Sequence, residues 1–188
     1  MNVLGWWKER QRQAEPAGTA WRAQWAAAVD AEDAGAIEQL RSELMTLAAT
    51  VEDVEIEEEM LDGLTALVSL APALRAGQLP RVVTGHRVVG SDVCAFGAPA
   101  SLVDDPAQPA GRVILTDRRA IFAGGGPSVS VPWHRVGAVL RAGRDLLLVL
   151  AGTEASQRFR FNSYADALCG VAIARHLTPA RSGKSRGL

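Results

Sequence analysis

The fold of the C-terminal half is decided by one stretch, GRVILTDRRAIF, which runs from Gly111 to Phe122. In it, two runs of aliphatic and aromatic residues are separated only by Asp117 and Arg118. Such a pattern is typical of a β-hairpin, because β-branched and aromatic side chains suit a pleated strand. The stretch therefore predicts two antiparallel strands, and the side chains of Thr116 and Asp117 are expected to bond nearby backbone amides in the turn.

Short runs on both sides of the hairpin extend this prediction to an antiparallel β-domain over residues 80–177. Glycines punctuate the runs, as turns punctuate strands. The run from Arg158 to Phe161 alternates basic and aromatic residues, which predicts one buried face and one wet, basic face. Pro132 indicates a strand edge or a bend. The other predicted strands are residues 81–83, 87–89, 93–96, 128–131, 136–140 and 145–150, with 100–103 as a further candidate.

The end of the β-domain carries the signals of a closing helix. Ser163 and Asp166 have the spacing of a capping box, and apolar residues recur after them at helical spacing. These signals predict a helix over residues 164–177. Residues 178–188 contain proline and glycine without a period, and they are expected to be a disordered tail.

Residues 1–79 have a helical period instead. Helices are predicted over about 19–31, 34–50 and 54–74, with cap chemistry at Asp33 and a capping-box spacing from Thr50 to Asp53. One face of the first helix is formed by Trp21, Trp25, Ala28 and Val29. Three amphipathic helices with short connections predict a three-helix bundle, so the whole chain is assigned to the α+β class.

The net charge of −1 conceals an asymmetry between the two halves. Residues 1–79 hold 6 Lys/Arg and 14 Asp/Glu, a net of −8, and residues 80–188 hold 14 Lys/Arg and 7 Asp/Glu, a net of +7. Such a split indicates two units that differ in partner or that attract each other. The acidic run from Glu52 to Glu59 is most simply a solvated helix face. A cation site or a surface for a basic partner is the alternative.

Three stretches in the right order resemble GRAM and bacterial PH-like domains. Gly111 to Phe122 is similar to their hairpin, G-x-L-x-L-T-x-x-R-L-x-F, although Ala120 stands where the family has a larger aliphatic residue. The stretch VPWHRVGAV, residues 131–139, is similar to their I-P-x-x-x-I-x-x-V segment. Residues 159–161, followed by the capped helix, are similar to their closing elements. The loop at 104–110 and the triple glycine depart from the family pattern.

The resemblance covers residues 91–177 and implies both a fold and a class of function. The implied fold is a seven-stranded bent sandwich or partly open barrel, capped by the C-terminal helix, which would cover exposed strand edges. Domains of this family bind phosphoinositides, other lipids or proteins, usually through loops at the open end. The resemblance therefore implies binding rather than catalysis, and it does not choose among these ligands.

No arrangement of residues indicates catalysis, a metal or a cofactor. The histidines lie in different predicted elements and lack metal-ligand spacing. The two cysteines, Cys94 and Cys169, have no CxxC partner and are expected to be buried thiols. No serine lies in a GxSxG motif, and the glycine run lacks the lysine of a phosphate loop. Asp104 and Asp105 precede a proline and are expected to form a turn. The sequence therefore predicts a protein that is not an enzyme.

The candidate binding residues are two tryptophans and five arginines. The arginines would form an anion site for lipid headgroups or an acidic protein. The alternatives are a solvated basic surface and a surface that docks on the acidic helices of the same chain. The tryptophans would lie at a membrane interface or fill a partner's groove, unless they pack on the chain's own helices. These candidates are Trp6, Trp7, Arg118, Arg119, Arg135, Arg158 and Arg160.

The sequence as a whole predicts a cytoplasmic, non-catalytic adaptor or scaffold that acts by protein–protein interaction or self-association. The alternative is a peripheral membrane module that binds anionic lipid through its basic loops and the tryptophan pair. No apolar run reaches the roughly 20 residues of a membrane span, and no secretory signal is expected. Nucleic acid is excluded as a partner, because the sequence pI is about 6.3 and basic residues are not interleaved with exposed aromatics.

Overall fold

A computed structural model describes residues 18–50, 53–125, 128–153 and 155–178. Trp6, Trp7 and the predicted tail beyond residue 178 lie outside these ranges. The described residues form four helices and one seven-stranded antiparallel sheet. No helix in these ranges is both long enough and apolar enough to cross a membrane.

Three helices precede the sheet and one follows it. They are α1 (residues 18–31), α2 (Ala36–Ala48), α3 (Glu55–Arg75) and α4 (Tyr164–Leu177). The predicted face of α1 is buried at all four positions. The side chain of Asp33 caps the chain before α2, where its Oδ1 accepts a hydrogen bond from the Gly35 amide at 2.8 Å. At α4, Ser163 Oγ accepts from the Asp166 amide at 3.1 Å, as the capping-box spacing predicts.

The capping box predicted from Thr50 to Asp53 does not form. Thr50 Oγ1 donates backwards to the Leu47 carbonyl at 2.8 Å and stays with α2. Asp53 Oδ1 accepts from the Glu55 amide at 3.0 Å, across Val54, the residue that precedes the first turn of α3. The helix break is therefore where the sequence predicts it, but no side chain caps α3.

The seven strands form a single open sheet. In sheet order they run β4-β3-β2-β1-β7-β6-β5, and β4 and β5 are the two edges. Their bounds are β1 Cys94–Leu102, β2 Ala110–Thr116, β3 Arg119–Gly124, β4 Val129–Pro132, β5 Val136–Ala142, β6 Asp145–Leu150 and β7 Ser156–Phe161. The predicted fold class is confirmed: helices, then a partly open antiparallel β-structure capped by a C-terminal helix.

The predicted strands at residues 81–83 and 87–89 are wrong, and the predicted strands at 93–96 and 100–103 belong to a single strand. Residues 81–86 form neither helix nor strand, and Arg87–Val89 is a single 3₁₀ turn. The turn is favoured because it buries Val89 under the sheet. The predicted strands at 93–96 and 100–103 are parts of β1, because Gly97 stays paired with β2 and does not break it. Pro132 ends the edge strand β4, where its missing N–H disrupts no ladder.

The predicted hairpin is confirmed between β2 and β3. Thr116 is fully buried, and its Oγ1 accepts from the amides of Arg118 and Arg119 at 3.2 and 3.0 Å. The same hydroxyl donates to the Arg119 carbonyl at 2.9 Å. Trp133 Nε1 closes the turn from outside by donating to the Thr116 carbonyl at 2.8 Å. One threonine side chain thus supplies the polar partners that a tight buried turn requires.

Helix α4 belongs to two apolar cores at once. On one side Val171 and Ala174 pack into the core of the sheet, and on the other Leu168 packs with the tryptophans and leucines of α1, α2 and α3. From the opposite direction, Leu74 of α3 reaches the sheet core. The division of the chain into domains at residues 79 and 80 stays a prediction, but apolar contacts cross that boundary.

The contact between α3 and α4 is close because of Gly63. A Cβ at this position would lie 3.0 Å from the backbone carbon and from the Cβ of Tyr164. We expect Gly63→Val to destabilise the protein by about 1–3 kcal/mol, because the helices must separate to accept the side chain. Thermal or urea unfolding measures this. Ser69→Val, on the exposed face of the same helix, is the matched control and should change stability far less. Equal effects of the two changes would contradict the close packing.

Candidate functional site

The five candidate arginines do not form one site. Arg118 and Arg119 lie at the β2–β3 turn, Arg158 and Arg160 lie on β7, and Arg135 lies in the 3₁₀ turn before β5. Each of the first two pairs surrounds a different buried aspartate. The arginines are therefore divided among separate places on the sheet.

The first group, the Asp92 cluster, consists of Asp92, Thr116, Asp117, Arg118 and Arg119. The Asp92 side chain is 6% exposed, and Arg119 Nε donates to its Oδ2 at 2.8 Å. Arg119 also donates to the Val88 carbonyl at 3.3 Å. Because both acceptors belong to the segment before β1, Arg119 holds that segment to the hairpin. Arg118 lies 3.8 Å from Asp92 and remains largely exposed.

Asp117 makes the remaining connection of the Asp92 cluster. Its Oδ1 accepts from the Val93 amide at 2.9 Å, and its own amide donates to the Val93 carbonyl at 2.9 Å. The expectation that Asp117 bonds an amide within the turn is wrong, because its carboxylate is used by the segment that leads into β1. Local spacing gives no signal for this partner, because it lies 24 residues away.

The second group, the Asp145 cluster, consists of Asp145, Arg158 and Arg160. Asp145 begins β6 directly opposite Arg160 on β7, and its side chain is 2% exposed. Arg160 donates Nε to Oδ1 at 2.9 Å, and Arg158 donates to Oδ2. Burial raises the pKa of Asp145, but the hydrogen bonds and charges of Arg160 and Arg158 together outweigh it and hold the pKa below its usual value.

The face predicted to be wet and basic is therefore only partly so. The alternation is confirmed, since Phe159 and Phe161 are buried. The two arginines on the opposite face are partly exposed, but they share a carboxylate that partly neutralises them. The sequence carries a signal for Asp145 as the partner of these arginines. Asp145 stands at the start of a strand, and the register of the β6–β7 hairpin places it beside Arg160.

A third set of basic residues faces the helices of the same chain. Arg144 lies 3.6 Å from the Glu59 carboxylate, and Glu59 also accepts from the Tyr164 amide at the start of α4, at 2.7 Å. The Arg141 guanidinium lies over the Trp25 ring, 5.3 Å from its centroid. Burial lowers the pKa of Arg141, an effect that Asp30 partly offsets. The acidic helices and the basic sheet therefore attract each other within one chain.

The reading of the acidic run as a solvated face is wrong for two of its members. Glu57 is buried and accepts from Arg22 Nε at 2.7 Å. Glu59 has the partners at α4 and Arg144 described above. Glu55 and Glu58 are exposed, as a solvated face predicts. The structure thus favours the alternative of a surface for basic groups, supplied here by the chain itself.

The loops at one end of the sheet are not basic. Strand pairing brings the β1–β2, β3–β4 and β6–β7 connections to the same end, because Gly111 lies opposite Gly124 and Leu102 lies opposite Phe159. By sequence these loops, residues 103–109, 125–128 and 151–155, contain three acidic residues and no lysine or arginine. Asp105 accepts from the Ala107 amide, which confirms a turn at this position. The loops at this end of the sheet thus contribute no cations.

Two further expectations concern metals and thiols. Among the described residues, no group of His, Cys, Asp or Glu is arranged to hold a metal ion. Cys94 and Cys169 are free, the first buried and the second half-buried. Burial raises the pKa of both thiols, that of Cys169 to about 11, so neither is a thiolate at neutral pH.

An exposed apolar segment that the sequence did not reveal lies beside the Asp92 cluster. Val83 is fully exposed, and Val82 and Val93 are 41% and 47% exposed. The Val82 amide donates to the Cys94 carbonyl at 2.9 Å, which holds the segment against the start of β1. Its valines favour a strand in the sequence, and only the tertiary structure shows that they face outwards.

Comparison with known proteins identifies no family. No protein-family model matches the chain, and no curated protein matches it. Among solved structures, the chain is similar to the C-terminal domain of an unknown protein from Leishmania infantum. The TM-score is 0.42 at 8% sequence identity, and the match covers 50% of this chain and 91% of the other. It is also similar to the Vps36 N-terminal PH domain. Here the TM-score is 0.41 at 15% sequence identity, and the match covers 46% of this chain and 80% of the other.

A third similar structure is Inner Membrane Complex Sub-compartment Protein 3 from Toxoplasma gondii. Its TM-score is 0.35 at 16% identity, over 44% of this chain and 73% of that one. At these scores the likeness says nothing about ligand or partner. The strand order and closing helix of this chain give the PH-like architecture that the sequence resemblance implied. Membership in the GRAM or bacterial PH-like family, and the roles of the candidate site residues, stay predictions.

The Thr116 hydroxyl should be the most important polar group of the hairpin. We expect Thr116→Val to cost about 1–3 kcal/mol of folding free energy, because two buried amides and one carbonyl lose their partner while the side-chain volume is kept. Urea unfolding measures the change. Thr46→Val, on the exposed face of α2, is the control. A loss no larger than that of the control would contradict the assigned role.

The Asp145 cluster predicts a dependence of stability on pH. A carboxylate whose pKa is depressed by folding stabilises the protein above the unfolded pKa, about 3.9, and this contribution is lost as the pH falls through the folded pKa. Asp145→Asn should therefore destabilise the protein by about 1–3 kcal/mol at neutral pH, and its effect should shrink as the pH falls from about 3.9 through the depressed pKa of Asp145. Urea unfolding over a pH series tests this. Asp62→Asn, exposed on α3, should show no such dependence.

Proposed function

We propose that this protein is a non-catalytic, cytoplasmic adaptor or scaffold that binds another protein. The observation that carries the proposal is the contrast between its charged and its apolar surface. Asp92 and Asp145 partner four of the five arginines that the sequence offered as an anion site. The exposed valines before β1 are not covered by any of the residues that the structure describes.

This contrast favours a protein partner over an anionic membrane. Headgroup binding needs several uncompensated cations close together. The loops at residues 103–109, 125–128 and 151–155 have none. Of the five candidate arginines, only Arg135 is exposed with no carboxylate partner among the described residues, because Arg118 lies 3.8 Å from Asp92. Exposed aliphatic side chains beside polar ones are typical of the surfaces at which proteins associate.

The packing of α4 supports a scaffold that acts as one body. Because α4 is shared by both apolar cores and is held by Glu59 and Arg144, the helices and the sheet offer one continuous surface. In this proposal the helical half contributes to positioning a partner and is not a flexible attachment.

Two measurements on the full chain test the proposal. Tagged protein in native lysate of its source organism should recover a specific protein partner, identified by mass spectrometry and verified with the two purified proteins. In parallel, the purified chain should not co-sediment with anionic phosphatidylglycerol vesicles beyond its level with neutral phosphatidylcholine vesicles. Salt-sensitive binding to the anionic vesicles, together with no protein partner, would replace this proposal with the peripheral membrane alternative.

A further inference from the structure

The segment from Arg81 to Gly85 lies along the start of β1, on the side away from β2. Cys94 is paired with Thr116 of β2, and its carbonyl accepts from the Val82 amide at 2.9 Å. On this side, β7 pairs with β1 only from Ala100 to Leu102. The segment therefore occupies the edge that β7 leaves open near the beginning of β1.

The outer side of this segment has backbone groups without partners. Among the described residues, the N–H and C=O groups of Arg81 and Val83 make no hydrogen bond. In a chain that runs beside a strand, successive residues direct these groups to opposite sides. Val82 bonds inwards to β1, and in extended backbone its two neighbours would present their groups to a strand on the outer side. A row of unpaired groups of this kind is a template for another strand.

The side chains around this edge are apolar at its centre and basic at its ends. Val83 is fully exposed, next to the partly exposed Val82 and Val93. Arg81 and Arg87 are exposed, and neither has an ion pair within the described part of the chain. Arg118, which the Asp117–Val93 hydrogen bonds bring to the same place, is 71% exposed. The edge thus complements a segment that is apolar and acidic.

We propose that residues 81–85 are the docking edge of this protein, and that their partner is an extended, acidic segment of another protein that pairs with them by main-chain hydrogen bonds. This inference rests on the proposed function and specifies the class of partner. Apolar side chains of that segment cover Val83, and its carboxylates meet Arg81, Arg87 and Arg118. A second copy of the chain is a poor occupant, because two such edges would bring arginines against arginines.

The test uses the full chain and a fluorescein-labelled peptide with valines at its centre and glutamates at both ends, so that acids can lie two residues from the valine that covers Val83. Fluorescence anisotropy should show binding that weakens with salt. A peptide with lysine in place of every glutamate should not bind, because its charges repel the three arginines. The glutamate peptide with alternate amides N-methylated should also fail, because it cannot form the main-chain ladder. Hydrogen exchange should show new protection over residues 81–85 with the unmodified glutamate peptide only.

Two pairs of variants assign the binding to this edge. Val83→Asp should weaken the glutamate peptide about tenfold or more, because it removes the apolar contact and adds repulsion. Met45→Asp makes the same change on an exposed residue of α2 and should leave binding unchanged. Arg81→Glu should weaken binding similarly, and Arg135→Glu, at an exposed arginine elsewhere, should not.

Several outcomes would overturn the docking edge. They are no binding of the glutamate peptide at about 1 mM, binding that survives N-methylation, and equal effects of the edge and control variants. Sedimentation of the wild type with anionic vesicles that Val83→Asp abolishes, without peptide binding, would also overturn it. If the native partner binds wild type and Val83→Asp equally, the docking edge is wrong while the proposed adaptor function stands.

Discussion

The contact of α4 with both cores is the constraint on which the rest of this structure depends. An isolated sheet of this kind would leave one opening uncovered, and three short helices alone would bury little apolar surface. Val171 faces the sheet and Leu168 faces the helices, so a single helix completes both cores. The absence of a side chain at Gly63 lets α3 approach, and Glu59 caps the first turn of α4.

Opposite charges reinforce this arrangement inside the chain. The sequence places an excess of acids in the first half and of bases in the second, and the fold joins them at Glu59 and Arg144. Within the sheet, Asp92 and Asp145 do the same for four of the candidate arginines. These arginines are thus part of how the protein holds together, and the surface left for a partner combines exposed valines with the exposed Arg81 and Arg87.

Valine-rich runs are buried in one part of this protein and exposed in another, and the difference follows from their position relative to the sheet. Val113 of β2 is completely buried because strands lie on both sides of it and a core lies beneath. Val83 has the same side chain and complete exposure, because its segment lies beyond the end of the β1–β7 pairing. The interpretation of the run at residues 81–83 as a strand is therefore wrong, although its residue types favour one.

By itself the sequence determined the elements that depend on local chemistry. These include the Thr116 hairpin, the tryptophan face of α1, the Ser163 cap and the alternation of β7, because periodicity and short-range hydrogen bonds are properties of neighbouring residues. Only the tertiary structure decided which charges are free. The partners of Arg119 and Arg158 lie 27 and 13 residues away, and no local pattern carries such pairings, since they arise where strands and turns distant in sequence are brought together.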